Sequence, residues 1–274
     1  MEQFVAWKAL MTAGEPTTIW QQFYVLFYQA FIENDRWRQY LSGVGTTLYV
    51  TVLALVLGVV LGLIVAVVRT AHDLQRPGHR NPVLGFFNGI LKMYVTVIRG
   101  TPMMVQLMIM GLVIFASSRN FVMVGALTLG INSGAYTAEI IRGGLMSVDQ
   151  GQTEAGRSLG MNYADTMRFV VVPQAIKAIL PALGNEFIVL LKDTSLISVI
   201  GGKELLYAAR SVAARNYEPM YPYVGAAIVY LILVLLFTKL LGIFERRLRA
   251  SDRRLKPDQR FRRSEGAARR KPAH

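Results

Sequence analysis

Two groups of residues in this chain have types and spacings that can do chemistry. The first is a set of amide, hydroxyl and ionisable side chains inside otherwise apolar stretches: Gln106, Asn132, Ser133, Glu139 and Glu186, then Lys192, Asp193, Thr194 and Ser195. A charge placed in hydrocarbon costs at least about 2.5 kcal/mol, so each ionisable group must meet a counter-ion or a polar solute. Glu139 suits an ammonium group, and Arg142, three residues on, is its competing partner within the chain. Glu186 either lines a polar path or caps a kink expected after Pro181. Gln106, Asn132 and Ser133 offer uncharged hydrogen bonds to a solute, or to backbone and neighbouring helices. Lys192 and Asp193 read as an ion pair beside a gate, with Thr194 and Ser195 bonding back along their helix.

The second group is a polar run, SVDQGQTEAGRSLGMNYADTMRFVVVP, at residues 147–173. Ser147 with Gln150 three residues later is a capping-box spacing. A helix follows through Glu154, Ala155, Gly156 and Leu159. Gly160 stands where a helix end takes a positive φ. Asn162 and Asp165 suit the start of another helix, and Pro173 is expected to end or kink it. The run therefore predicts a stiff, exposed elbow of two short helices. The plain alternative is a surface hairpin between two longer helices.

These residues have to be positioned by apolar helices. Residues 49–68 contain no charge, and 20 residues rise roughly 30 Å, the thickness of a bilayer core. Further spans are expected at 102–117, 121–141, 181–200 and 222–244, making five with the first at 45–68. Residues 83–98, with Lys92 inside, read as a helix lying at or entering the interface. Residues 17–32 are aromatic and apolar but hold three glutamines, and predict an interfacial amphipathic helix within an extracytoplasmic segment, 1–43. His72 and His79 sit in a charged loop and read as solvated.

Hydrophobic residues make up 53% of the chain and charged ones 17%, against about 25% charged in soluble domains, which places it in lipid. The net charge of +13 is concentrated at the end, since residues 245–274 hold 12 Lys/Arg and 4 Asp/Glu. A basic block directly after a span indicates a cytoplasmic tail facing anionic lipid and argues against a nucleic-acid partner. Segments expected inside carry 21 Lys/Arg and those outside 7, so the N-terminus is expected outside and the C-terminus in the cytoplasm. The start, Met1-Glu2-Gln3, has no basic region, so the first span is expected to direct insertion. The chain has no cysteine, which excludes disulfides, thiolate metal sites and cysteine nucleophiles. It also lacks G-x-x-x-x-G-K-[ST]. Its nearest string, Gly201-Gly202-Lys203-Glu204, has no hydroxyl residue to meet a magnesium ion.

The run at 147–173 resembles the "EAA" loop of ABC-importer permeases, which reads E-A-A, three residues, Gly, nine residues, then I-x-L-P. Here it reads Glu154-Ala155-Gly156, then Gly160, then Val170-Val171-Val172-Pro173. It departs at Gly156, Val170 and Val172. The chain is similar in particular to permeases for polar amino acids of the histidine, glutamine, glutamate and arginine type. Those matches are Arg99-Gly100-Thr101-Pro102 with Gln106, Ala135-Tyr136 with Ala138-Glu139 and Arg142-Gly143, Pro173-Gln174-Ala175, and Asn185 through Leu196.

The resemblance implies an all-α integral membrane protein with five transmembrane helices of the MetI-like type and a cytoplasmic coupling-helix loop at 143–177. It implies ATPase coupling through Glu154, Ala155, Gly156, Leu159 and Gly160. It implies two cytoplasmic ATPase subunits that hold ATP and magnesium, a second identical or homologous permease, and an extracytoplasmic amino-acid-binding protein. The chain itself would then be no enzyme and would carry no cofactor. Three alternatives stay open: an importer of another small polar solute, an ion-coupled carrier, and a non-transporting anchor. The scarcity of charges in the spans, and the absence of an internal repeat, weigh against the carrier.

Overall fold

The computed structural model describes residues 2–73, 75 and 81–253. His79 and the tail from 254 onward lie outside these residues. Every element among them is helical. They are α1 (Glu2–Ala13), α2 (Ile19–Phe31), α3 (Trp37–Asp73), α4 (Pro82–Gly100), α5 (Met103–Met108), α6 (Phe121–Met146), α7 (Gln150–Ser158), α8 (Tyr163–Thr166), α9 (Val172–Asp193), α10 (Leu205–Asn216) and α11 (Met220–Arg253), joined in places by 3-10 turns (Glu33–Asp35, Thr194–Ile200) and π-helical turns (Ile109–Ile114, Met167–Val171). Five stretches are long and apolar enough to cross a bilayer: Glu33–Asp73, Pro82–Gly100, Phe121–Met146, Tyr163–Ile200 and Met220–Leu248.

The centre of the fold is the pair α3 and α6. Their axes approach because glycines stand where any side chain would collide. A Cβ on Gly58 would lie 2.7 Å from the Ser133 hydroxyl, and one on Gly62 2.7 Å from Thr137. Backbone contact at this range lets hydroxyls and carbonyls of both helices interact at short distance. One end of the core is apolar, with Val50, Ala54, Leu107, Leu129, Leu190 and Ile197 all buried. Val65, Val95, Ala135 and Ala138 fill the other end.

Several expected boundaries move. α3 starts at Trp37, so 43 is not a break but the interior of a helix. Residues 102–117 do not form a span alone. α5 and the π-helical turns that continue it, Ile109–Ile114, amount to 12 residues, well short of a bilayer. α4 supplies the other part of this path. Tyr94 donates to the Ile131 carbonyl and Gln106 accepts from Asn132, so the joint at Thr101–Pro102 lies level with the middle of α6. Gly111 then meets Ile200 at the far end. Pro173 does not end its helix. It sits in the first turn of α9, just after a π-helical turn at Met167–Val171. Proline has no N–H to give, and a widened turn ahead of it removes the clash that an α-helical carbonyl would make. Pro181 lies inside α9, so the span expected at 181–200 belongs to a helical path that begins at Tyr163. α6 runs on to Met146 and α11 to Arg253, past the expected ends at 141 and 244.

α2 has 13 residues, about 20 Å of helix, too little to span. α1, which no spacing in the sequence announced, packs beside it through Phe4 on Tyr28. The hairpin of α1 and α2 is tied to the rest at the end of the molecule away from α7. Arg36 donates to the Gln29 carbonyl and, at 2.9 Å, to Asn216. His72 is not solvated loop. It lies in the last turn of α3, with Nδ1 3.2 Å from the Asn88 amide of α4.

Candidate functional site

The elbow at residues 147–162 is built from local rules. Its helix is capped by Asp149, whose carboxylate accepts from the Gly151 amide at 2.7 Å. The expected cap, Ser147, instead donates to the Gly144 carbonyl and closes α6. A carboxylate two residues nearer the helix outcompetes the hydroxyl because it also meets the positive end of the helix dipole. At the other end Gly160 has φ +78°. Its N–H reaches the Arg157 carbonyl, and the Met161 N–H reaches Gly156. This pair of bonds is a Schellman motif, which needs the left-handed residue that glycine supplies. Asn162 then caps α8 through the Asp165 amide at 2.9 Å.

The elbow is also pinned from below. Gly156 is buried, and a Cβ there would lie 2.9 Å from Thr166. The departure from alanine at this position therefore has a packing cause. Gln174 of α9 donates to Gln152 of α7 at 3.2 Å. The opposite face is open. Glu154 and Ala155 are exposed, and Leu159, a large apolar residue at the tip, is 81% exposed.

The amide, hydroxyl and acidic candidates of the spans separate into three places. Gln106 donates to the carbonyls of Ile98 at 2.7 Å and Thr101 at 3.1 Å. It thereby satisfies backbone groups that the Thr101–Pro102 joint leaves free, while its own carbonyl accepts from Asn132 at 3.0 Å. Ser133, fully buried, donates to Glu186 of α9 at 2.8 Å, on the side of α6 that faces α3 and α9. Glu139 is held by two arginines, Arg69 of α3 at 2.6 Å and Arg142 at 3.3 Å. The expected i,i+3 pair with Arg142 is therefore present, and Arg69, 70 positions away in sequence, is the closer partner.

Asn132, Tyr136 and Glu139 form a partly open stripe at i, i+4, i+7 on α6, whose other faces are largely buried. Arg99 of α4 stacks over the Tyr136 ring at 5.2 Å. Polar groups thus converge on one open face, whereas Glu186 points to the interior of the bundle.

Near the far end, Lys192 is exposed and makes no ion pair with Asp193 within 4 Å. Neighbouring residues on a helix point in different directions, so the expected pair does not form. Thr194 bonds back to the Leu191 carbonyl at 2.8 Å. Ser195 is half-buried.

Residues 82–250 match the family of binding-protein-dependent transport system inner membrane components. The chain belongs to this family. The glutamine transport system permease protein GlnP of Escherichia coli (strain K12) is 34% identical over 216 residues, covering 76% of this chain and 92% of GlnP. The arginine transport system permease protein ArtQ of Bacillus subtilis (strain 168) is 38% identical over 171 residues, covering 61% of this chain and 77% of ArtQ. Among solved structures, a chain of an amino acid ABC transporter crystallised with histidines superposes with a TM-score of 0.68 and 43% identity, over 77% of this chain and 94% of that one. A chain of the MetNI methionine ABC transporter, inward facing, superposes at 0.66 with 20% identity over 79% and 99%, which shows the shared fold.

One further cluster of this transport component carried no signal in the sequence beyond a failed phosphate-loop match. Glu204 is 1% exposed. It caps α10 by accepting from the amides of Leu206 at 2.8 Å and Tyr207 at 2.7 Å, and it accepts from the Tyr230 hydroxyl of α11 at 2.6 Å. The next amide, Leu205, reaches Thr47 of α3. Burial pushes the Glu204 carboxyl above its usual range, against the lowering effect of these bonds.

Proposed function

We propose that the chain is the permease subunit of an ATP-binding-cassette importer that carries a polar amino acid across the cytoplasmic membrane. The relatives named for glutamine and arginine transport, and the amino acid ABC transporter of similar structure, support this cargo class. The elbow end faces the cytoplasm, with the N-terminus outside and the C-terminus inside, in keeping with the bias of Lys and Arg. Two ATPase subunits supply ATP and magnesium, a second identical or homologous permease completes the pathway, and an extracytoplasmic binding protein delivers the solute. This chain needs no cofactor and catalyses no reaction of its own.

The observation that carries the reading is the elbow: a capped, Schellman-terminated helix with Glu154 and Leu159 presented outward and Gly156 locked below. Leu159 fits an apolar socket on an ATPase, and Glu154 meets a basic group at its rim. Because the elbow is stiff, movement of the ATPases on ATP closure passes into α6 and α9 and alternates the access of the spans. The stripe of Asn132, Tyr136 and Glu139, with Arg99 beside it, is the surface along which the solute passes, and Gln106 holds the Thr101–Pro102 joint at its edge. Glu139 holds a negative charge there between two cations. Ser133 with Glu186, and Lys192 through Ser195, position α9 and its outer end.

The test replaces Glu154 by Lys and Gly160 by Val. A β-branched residue at φ +78° costs about 1–2 kcal/mol in the elbow alone. Uptake into proteoliposomes should fall at least tenfold, and co-purification of the ATPase should weaken, with membrane insertion unchanged (about 1.4 kcal/mol corresponds to a factor of ten). Undiminished uptake with both variants would end the coupling assignment.

A further inference from the structure

On the importer reading above, we infer that Lys92 and Thr96 of α4 line the inner exit of the solute path, and that Lys92 receives the carboxylate of the solute there, which favours acidic and neutral amino acids over cationic ones. α4 has three faces, because successive residues of a helix turn by about 100°. Leu91, Tyr94, Val95 and Ile98 pack in a core shared with α3 and α6. Phe86, Ile90, Met93 and Val97 are exposed and apolar, a face that suits lipid. Lys92, Thr96 and Arg99 are exposed too, and they fall within about 60° of one another on a third face.

Contacts on the packed face fix the depth. Asn88 meets His72 in the last turn of α3, and Val95 shares a cluster with Val65, so α3 and α4 run antiparallel and Lys92 lies level with Arg69. The uncharged run of α3 ends at Arg69, which marks the inner edge of the hydrocarbon core. Arg99, seven residues on from Lys92, stands about 10 Å deeper. There its stack on Tyr136 joins this face of α4 to the open stripe of α6. A charge at that depth requires water or a polar partner in place of lipid, so the face is wet from Arg99 out to Lys92.

The charges along this wet face are unbalanced. Neither Lys92 nor Arg99 makes an ion pair within 4 Å among the described residues. At the level of Lys92, Glu139 is already shared by Arg69 and Arg142. A solute leaving for the cytoplasm therefore meets cations in surplus and no unshared carboxylate on this face. Its own carboxylate passes from Arg99 to Lys92, about two helical turns away, with the Thr96 hydroxyl between them. A cationic side chain is repelled along the same route.

The chain has no cysteine, so Thr96→Cys and Val97→Cys in the full-length protein each give one labelling site, at nearly the same depth and on different faces. Each variant is assembled with its ATPase in nanodiscs, and labelling of this chain is followed by its mass. Water-soluble thiosulfonates should modify Thr96→Cys and spare Val97→Cys. Relative to their rates with a free thiol, an anionic thiosulfonate should outpace a cationic one at Thr96→Cys at least about tenfold, and adding Lys92→Gln should cut that ratio at least about threefold. Glutamate and glutamine should each slow the labelling more than arginine does. Both cysteines spared, or both modified, would overturn the assignment of the face. A rate ratio unmoved by Lys92→Gln, or stronger protection by arginine, would overturn the role of Lys92. If no amino acid protects while the wild-type importer, with its binding protein in proteoliposomes, takes up amino acids, this inference alone falls. If the wild type takes up none, the importer reading falls with it.

Discussion

Glu204→Ala removes the side chain that caps α10 and holds it to α11. Loss of an N-cap costs about 1 kcal/mol. Loss of a carboxylate acceptor for a buried hydroxyl adds about 1–2 kcal/mol. Thr47 and Thr194 hydroxyls stand beside Tyr230 and take over part of that bonding, which sets the sum near the lower end, about 2 kcal/mol. For a chain of this size the apparent melting temperature should fall by about 4–8 °C. Glu204→Gln keeps an acceptor for one amide and sheds the cost of a buried charge, so it should fall by less than half as much.

The pH dependence separates the two variants further. Burial raises the folded carboxyl above its ordinary value of 4.5, so the folded protein holds this proton more tightly than the unfolded one. The stabilising contribution is complete below the ordinary value and is lost as pH rises through the folded one. Wild type should therefore lose apparent melting temperature as pH rises above the ordinary value of 4.5, and Glu204→Gln should lose less of it. Fluorescence-monitored melting in nanodiscs reads both effects. If Glu204→Ala melts within about 1 °C of wild type, the cluster contributes nothing and the reasoning fails.

Gly62→Val drives a side chain into Thr137 and should cost at least about 1–3 kcal/mol, seen as loss of the monodisperse peak in size-exclusion chromatography; Gly89→Ala, with nothing within 4 Å, should behave as wild type. Arg69→Ala leaves Glu139 with only the 3.3 Å contact to Arg142; melting should fall by about 2 kcal/mol equivalent, uptake should drop, and Arg69→Lys should restore only part of each. Gln106→Ala frees the carbonyls of Ile98 and Thr101 and should lower stability by about 1–2 kcal/mol without changing KM for uptake. A raised KM at undiminished stability would place Gln106 on the solute instead.

The sequence announces those parts of the molecule that follow from local rules. Gly160 and Asn162 mark their turns because φ and capping depend on one or two residues. The spacing of Gly58 with Gly62, and of Gly130 with Gly134, shows that helices approach closely, though only the fold shows that α3 and α6 are the pair. Proline misleads at 173 and 181, because a span in lipid keeps its helix wherever neighbouring helices and π turns can satisfy the backbone. The site is less legible than the fold. Glu139 is visible as a charge in a span, but Arg69 lies 70 residues away and reads as the end of an earlier helix. Glu204 resembles a loop residue by composition, and only its burial between α3, α10 and α11 reveals its task. Asp149 displaces Ser147 as cap by a margin that depends on a helix start no pattern fixes to within two residues.

The π turn at Met167–Val171 has a geometric consequence for the whole lever. Val172 donates to a carbonyl five residues back, so this stretch holds one residue more than an α-helix would use for the same rise. Deleting a single residue from it would leave the rod unbroken with its turn and rise nearly unchanged, whereas a deletion from the α-helical part of α9 would rotate everything before it by about 100° around the rod's axis. The widened turn is thus the one place along this rod where a residue can be lost while the elbow keeps its heading.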